Sequence, residues 1–261
     1  MSPPLFSSEK ENIKLVPNIQ KHVDDFLAFI IGEELKEYSN PLVPFTQRAK
    51  EIRTYAQASF GRLQNCLQHG MIVLKKHFEL QENQENQKSP ESEDSSFTTV
   101  IKGFEELRKK MQEPAFSIIT MFQAGPIQEQ ILLPWAFMDR AYKIAKQLLE
   151  EKSYEDAEAA FLVLRFLHSE VFEYWVGEAC ALQGQGKLED AVSSYIGSLL
   201  LQPSNAFIFF QIASCLYQAN EIPGCLKALE LCLEHAKNDP AQTALMQEAE
   251  IARQVLENRA A

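Results

Sequence analysis

The sequence predicts an all-α fold, with the C-terminal half built from stacked helix pairs. Three observations predict it. Tyr154-Glu155-Asp156-Ala157 returns in outline as Leu188-Glu189-Asp190-Ala191, 34 residues later. Small residues recur at the same interval, as Ala145, Ala179 and Ala213, and again as Ala157, Ala191 and Cys225. Large side chains recur likewise, as Phe161, Tyr195 and Leu229, and Phe209 follows Trp175.

A 34-residue period of two amphipathic helices per unit is the signature of tetratricopeptide repeats. Trp175 at the fourth position of a repeat and Pro203 at the thirty-second set the frame. Three repeats then fill residues 138–239, as 138–171, 172–205 and 206–239. The stretch 240–261 continues as an amphipathic helix through Ala244, Leu245, Ala249, Ile251, Ala252, Val255 and Leu256. A solenoid needs such a helix to cap its open end.

Ahead of the repeats the pattern changes. Residues 1–17 read as a flexible N-terminus. Residues 18–80 read as helical: Val23, Phe26, Leu27, Ile30, Ile31 and Leu35 recur at helical spacing. Ser39 to Pro44 interrupts, and a long stripe follows through Ile52, Phe60, Leu63, Leu67, Leu74 and Phe78. Gly61 and Gly70 are candidate breaks in it. Residues 81–96 contain no apolar side chain, which predicts a disordered linker. Residues 97–137 read as a helical connector packed on the repeats.

Within each repeat the small residues let the paired helices approach, and Phe161, Tyr195 and Leu229 fill the gap to the next unit. The acidic pairs Glu155-Asp156 and Glu189-Asp190 open second helices, where the macrodipole favours negative charge. Trp175 reads as core. The concave face is lined by first helices, whose second, fifth, ninth and twelfth positions are Asp139, Tyr142, Lys146 and Leu149, then Glu173, Val176, Cys180 and Gln183, then Phe207, Phe210, Ser214 and Tyr217. Tyr142, Lys146, Leu149, Val176, Cys180, Gln183, Phe207, Phe210, Ser214 and Tyr217 are therefore the candidate partner-binding groove. An extended peptide would lay apolar anchors there while Lys146 or Gln183 bonds its backbone. The competing reading is that the N-terminal helices fold back into the groove. With one lysine and no asparagine on this face, a carboxylate clamp is not expected.

Composition narrows the partner. Formal net charge is −11, which argues against nucleic acid. Residues 139–261 carry 18 acidic and 10 basic side chains, so a basic or apolar protein client suits them. Cys66, Cys180, Cys215, Cys225 and Cys232 form no C-x-x-C pair and read as packed free thiols of a cytoplasmic protein. Met1 to Glu11 lacks the pattern of a secretory signal. Neither an apolar run long enough to span a bilayer nor a cofactor motif is present. His22, His69, His77, His168 and His235 lie in no metal-ligand spacing, and there is no phosphate loop or nucleophile elbow. No catalytic residue, metal or cofactor is expected, and the chain is read as a non-enzyme.

From Ala141 to Ala236 the chain resembles the repeat domain of class II type III secretion chaperones. The residues that carry the likeness are Ser153 to Ala157 with Phe161, Tyr174 to Cys180, Leu188 to Ala191 with Ser194-Tyr195, and Phe209 to Leu216. Members of that family bind translocator proteins of bacterial injection systems and are small, acidic, cytoplasmic and often dimeric. The resemblance implies a non-enzymatic chaperone or adaptor that holds an extended segment of a secreted client in its groove, as a possible homodimer. It departs from the family in carrying roughly 130 residues before the repeats. A scaffold whose N-terminal helices drive oligomerisation or assembly is the alternative.

Overall fold

The computed structural model describes residues 62, 65–81, 102, 103, 106, 109, 124–237 and 240–260. The expected flexible N-terminus and the first amphipathic helix lie outside the described residues, as do most of the expected linker and most of the expected connector ahead of residue 124. The chain divides into two compact units, Met1–Phe137 and Met138–Ala261.

In the first unit, helix α1 covers residues 65–81. It buries Met71, Val73, Leu74 and Phe78, of which Leu74 and Phe78 belong to the stripe read from the sequence; Leu67 of that stripe is half-buried. Gly70 does not break it; it lies buried inside a continuous helix. A glycine costs a helix only about 1 kcal/mol, which a well-buried face absorbs. The Phe78 and Phe137 rings stack at 4.9 Å. A short helix α2 (Ile127–Gln130) follows. The Gln128 amide donates to the Leu133 carbonyl at 2.6 Å and fastens the turn after it.

The second unit begins inside helix α3 (Trp135–Glu150), which opens three residues ahead of the expected repeat start. The Pro134 carbonyl accepts from the Phe137 amide and starts the turn there. Helices α4 (Tyr154–Leu167), α5 (Phe172–Gly184), α6 (Leu188–Leu199), α7 (Ala206–Gln218) and α8 (Ile222–Ala236) follow. A 3₁₀ turn (Pro240–Gln242) leads into α9 (Thr243–Ala260). Each helix packs on its neighbour in sequence from α4 to α9. The described residues form an all-α fold of the tetratricopeptide type. The recurring residues are its packing layer: Ala145, Ala179, Ala213, Ala157, Ala191, Cys225, Phe161, Tyr195 and Leu229 are all buried. Gly177 serves the same end, since a Cβ there would overlap the buried Phe161 ring.

The 34-residue period also governs the backbone. Each first helix ends in the same Schellman turn. The amides of Ser153, Lys187 and Glu221 bond the carbonyls of Leu148, Leu182 and Leu216, at 2.9, 3.0 and 2.8 Å. The left-handed residue of the three turns is Lys152 (φ 61°), Gly186 (φ 75°) and Asn220 (φ 61°). Glycine and asparagine are the usual residues there, whereas a lysine pays the Cβ penalty of the left-handed region. Lys152→Gly is expected to stabilise the domain by about 0.5–1 kcal/mol, the relieved strain being partly offset by the looser unfolded chain. Urea unfolding midpoints check this, and a lower midpoint would refute it.

Candidate functional site

The first helices α3, α5 and α7 present the candidate groove. All ten predicted residues are half-buried or exposed, as a surface requires, and three separate sets of contacts organise most of them.

At the α3 end, the Tyr142 ring meets the buried Phe161 edge-on at 6.1 Å and lies 5.7 Å from the Tyr174 ring. The Lys146 ammonium sits 5.8 Å from the Tyr142 centroid, a cation–π geometry. Tyr142 is thus held upright by its neighbours. Burial raises the pKa of its phenol, and the Glu173 carboxylate adds to that. Burial pushes Tyr174 up to about 12, with help from Asp139, Tyr142 and Glu173. Both remain neutral hydroxyls at any physiological pH.

The middle is a hydrogen-bonded chain. The Tyr195 hydroxyl donates to the Gln183 Oε1 at 3.1 Å. The Gln183 amide nitrogen donates to the Ser214 Oγ at 3.3 Å, and Gln218 donates to the same oxygen at 3.3 Å. The Cys180 Sγ lies 3.3 Å from the Tyr195 oxygen. Since the single Tyr195 proton is given to Gln183, the thiol is the donor in that contact. Cys180, Gln183 and Ser214 are thereby tied together across α5 and α7. Sequence reasoning assigned Tyr195 to packing alone. Only its position under α5 and α7 reveals that its hydroxyl anchors the polar floor. Burial raises the pKa of Cys180 and pushes Cys215 up to about 11, so these thiols stay protonated and unreactive.

At the α7 end, Phe210, Ser214 and Tyr217 line a cavity of about 230 Å³ with Leu229 of α8 and Ala252, Val255 and Leu256 of α9. The sequence read α9 as a cap only; here it is also a wall. Phe207 does not join them. It lines a wider depression of about 650 Å³ with the 202–205 loop and Leu245 at the start of α9. Val176 packs against the core between these regions. Leu149 is half-buried and belongs to none of the three sets.

Trp175, expected in the core, is half-buried on the other side of α5. Its indole N–H donates to the Ser169 carbonyl at 2.7 Å. The Arg165 guanidinium lies 4.2 Å from its ring centroid, and Gly197 is kept bare by it, since a Cβ there would overlap the ring. Beneath that stack Glu178 is buried and ion-paired to Arg165 at 2.7 Å. Among the described residues no group of three or more His, Cys, Asp or Glu could hold a metal ion. No helix there is long and apolar enough to cross a membrane.

The sequence matches no protein-family model and no curated protein. Solved structures do match the fold. A type III secretion complex from Aeromonas hydrophila is 20% identical with a TM-score of 0.52, over 57% of this chain and 98% of its own. The CopN–Scc3 complex is 17% identical with a TM-score of 0.51, over 59% and 98%. The translocator chaperone SycD of Yersinia enterocolitica is 22% identical with a TM-score of 0.48, over 50% and 98%. At these identities the likeness concerns the fold.

Proposed function

We propose that this chain is a non-enzymatic, cytoplasmic chaperone or adaptor of a bacterial type III secretion system, which holds an extended segment of a translocator-like client on the α3–α5–α7 face. The observation that carries this reading is the groove itself: an aromatic post at Tyr142, a fixed polar floor at Gln183 and Ser214, and an apolar slot at Phe210 and Tyr217. Apolar side chains of a client fit the two ends, while the amide and hydroxyl between them bond its backbone. The residue-level likeness to class II chaperones, and the fold shared with a type III secretion complex, supply the class of partner. Capture of the segment keeps the client unassembled by mass action. A homodimer is compatible with this role.

The test is co-expression with a translocator encoded in the same genome. The wild-type chain should keep that client soluble and co-purify with it. Changing Tyr142, Phe210 and Tyr217 to alanine should weaken capture by at least about 2 kcal/mol, roughly thirtyfold, as for central aromatic anchors. Circular dichroism confirms folding; should the triple variant unfold, Tyr217→Glu alone serves. Undiminished capture by a folded variant refutes the groove.

A further inference from the structure

Helices α7 and α9 both start at the wider depression, beside Phe207 and Leu245, and both run past the smaller cavity, beside Tyr217 and Val255. They are therefore parallel. Each packs on α8 and scarcely on the other, so a crevice lies between them with Cys225 and Leu229 as floor. Phe207, Tyr217 and Val255 remain 49%, 48% and 45% exposed along it, although each is costly to leave in water.

We infer that this crevice docks an extended, lysine- or arginine-flanked peptide carrying two apolar side chains four residues apart; this rests on the protein-binding reading above and specifies its ligand. The spacing follows from helix geometry. The two hollows are centred about six to seven residues apart on α7 and about ten apart on α9, or about 10–15 Å. An extended chain covers that in about four residues, and residues i and i+4 point to the same face. The 230 Å³ hollow suits one large apolar side chain. Charge selects the rest. No residue of α7 is charged. On α9, Arg253 is engaged by Glu250 at 2.8 Å and Glu257 at 3.8 Å; the smaller hollow is apolar apart from Ser214, and in the wider one Pro203, Phe207 and Leu245 offer the apolar contacts. Residues 139–261 as a whole hold 18 acidic and 10 basic side chains. That surplus favours basic flanks over a second copy of the same acidic domain as the occupant of the crevice.

The probe is a fluorescein-labelled decapeptide with leucines at positions 4 and 8, lysines at both ends and serine or alanine elsewhere, read by anisotropy. It should bind with micromolar Kd, at least tenfold tighter than the same peptide with leucines at 4 and 7. Val255→Glu, at an exposed position, should weaken it at least tenfold, and Ala252→Phe, which fills the hollow, should do likewise. No binding, equal binding of the two peptides, or indifference to Val255→Glu overturns the inference. So does a dimer in sedimentation velocity that Val255→Glu dissolves, because a second copy then occupies the crevice. Client capture that survives Val255→Glu but is lost on Tyr142→Ala removes the crevice and leaves the chaperone reading standing. A peptide that binds as expected while no translocator is captured does the reverse.

Discussion

Replacing Tyr195 with alanine is expected to cost about 3–5 kcal/mol, the range for removing a large ring from a well-packed core. Its side chain is fully buried between the second and third helix pairs. A stack in which each unit touches only its neighbours has no distant contact to compensate. The polar tip adds a separate, smaller term. Tyr195→Phe keeps the ring but leaves Gln183 without its donor and Cys180 without its acceptor. That should cost about 1 kcal/mol, because Gln183 and Cys180 are only half-buried and water can replace the hydroxyl. Urea unfolding of the two variants separates the terms. Equal losses would mean that the hydroxyl, rather than the ring, holds the interface.

The sequence made the periodic part of this fold legible because every interface repeats. Ala145, Ala179 and Ala213 could be recognised as close-approach positions from spacing alone, since each does the same work in the same surroundings. Lys152-Ser153 and Gly184 to Lys187 read as turns from the sequence, but their common Schellman geometry does not, because the left-handed position holds three different residues, Lys152, Gly186 and Asn220. Only the dihedral angles unite them. The site was less legible than the frame. A residue's place on a first helix follows from its repeat position. What it meets depends on the next pair, so the reach of Tyr195 to Gln183 and the walling of Tyr217 by Val255 have no local signature. Glu178 left one clue. It stands where the neighbouring units have Ile144 and Ile212, and all three are buried.

That exchange of an isoleucine for a glutamate sets up the other large effect. Burial drives the Glu178 pKa up to about 7; the Arg165 ion pair opposes the shift, and the Glu158 and Asp190 carboxylates reinforce it. Since this value lies above the unfolded one, the folded chain holds the extra proton between about pH 4.5 and 7. The stability linked to Glu178 is full below that window and is lost as pH rises through 7. Arg165→Met keeps an apolar stem against Trp175 but removes the only cation paired with Glu178 among the described residues. At pH 8 the wild-type carboxyl, with its pKa of about 7, is ionised, whereas without its arginine Glu178 takes up a proton; that adds about 1.4 kcal/mol, for an expected cost of about 2–3 kcal/mol. At pH 5.5 Glu178 is protonated in the folded state, so the same substitution should cost only about 1–2 kcal/mol, the lost hydrogen bond and packing. Adding Glu178→Ile, which restores the residue of the sister positions, should recover most of the pH 8 loss, as apolar replacement of buried ion pairs often does. Chemical unfolding of the three proteins at both pH values decides the matter. A penalty for Arg165→Met that does not change with pH would show that Glu178 is already neutral beside its arginine, and that the pair is held by hydrogen bonding rather than by charge.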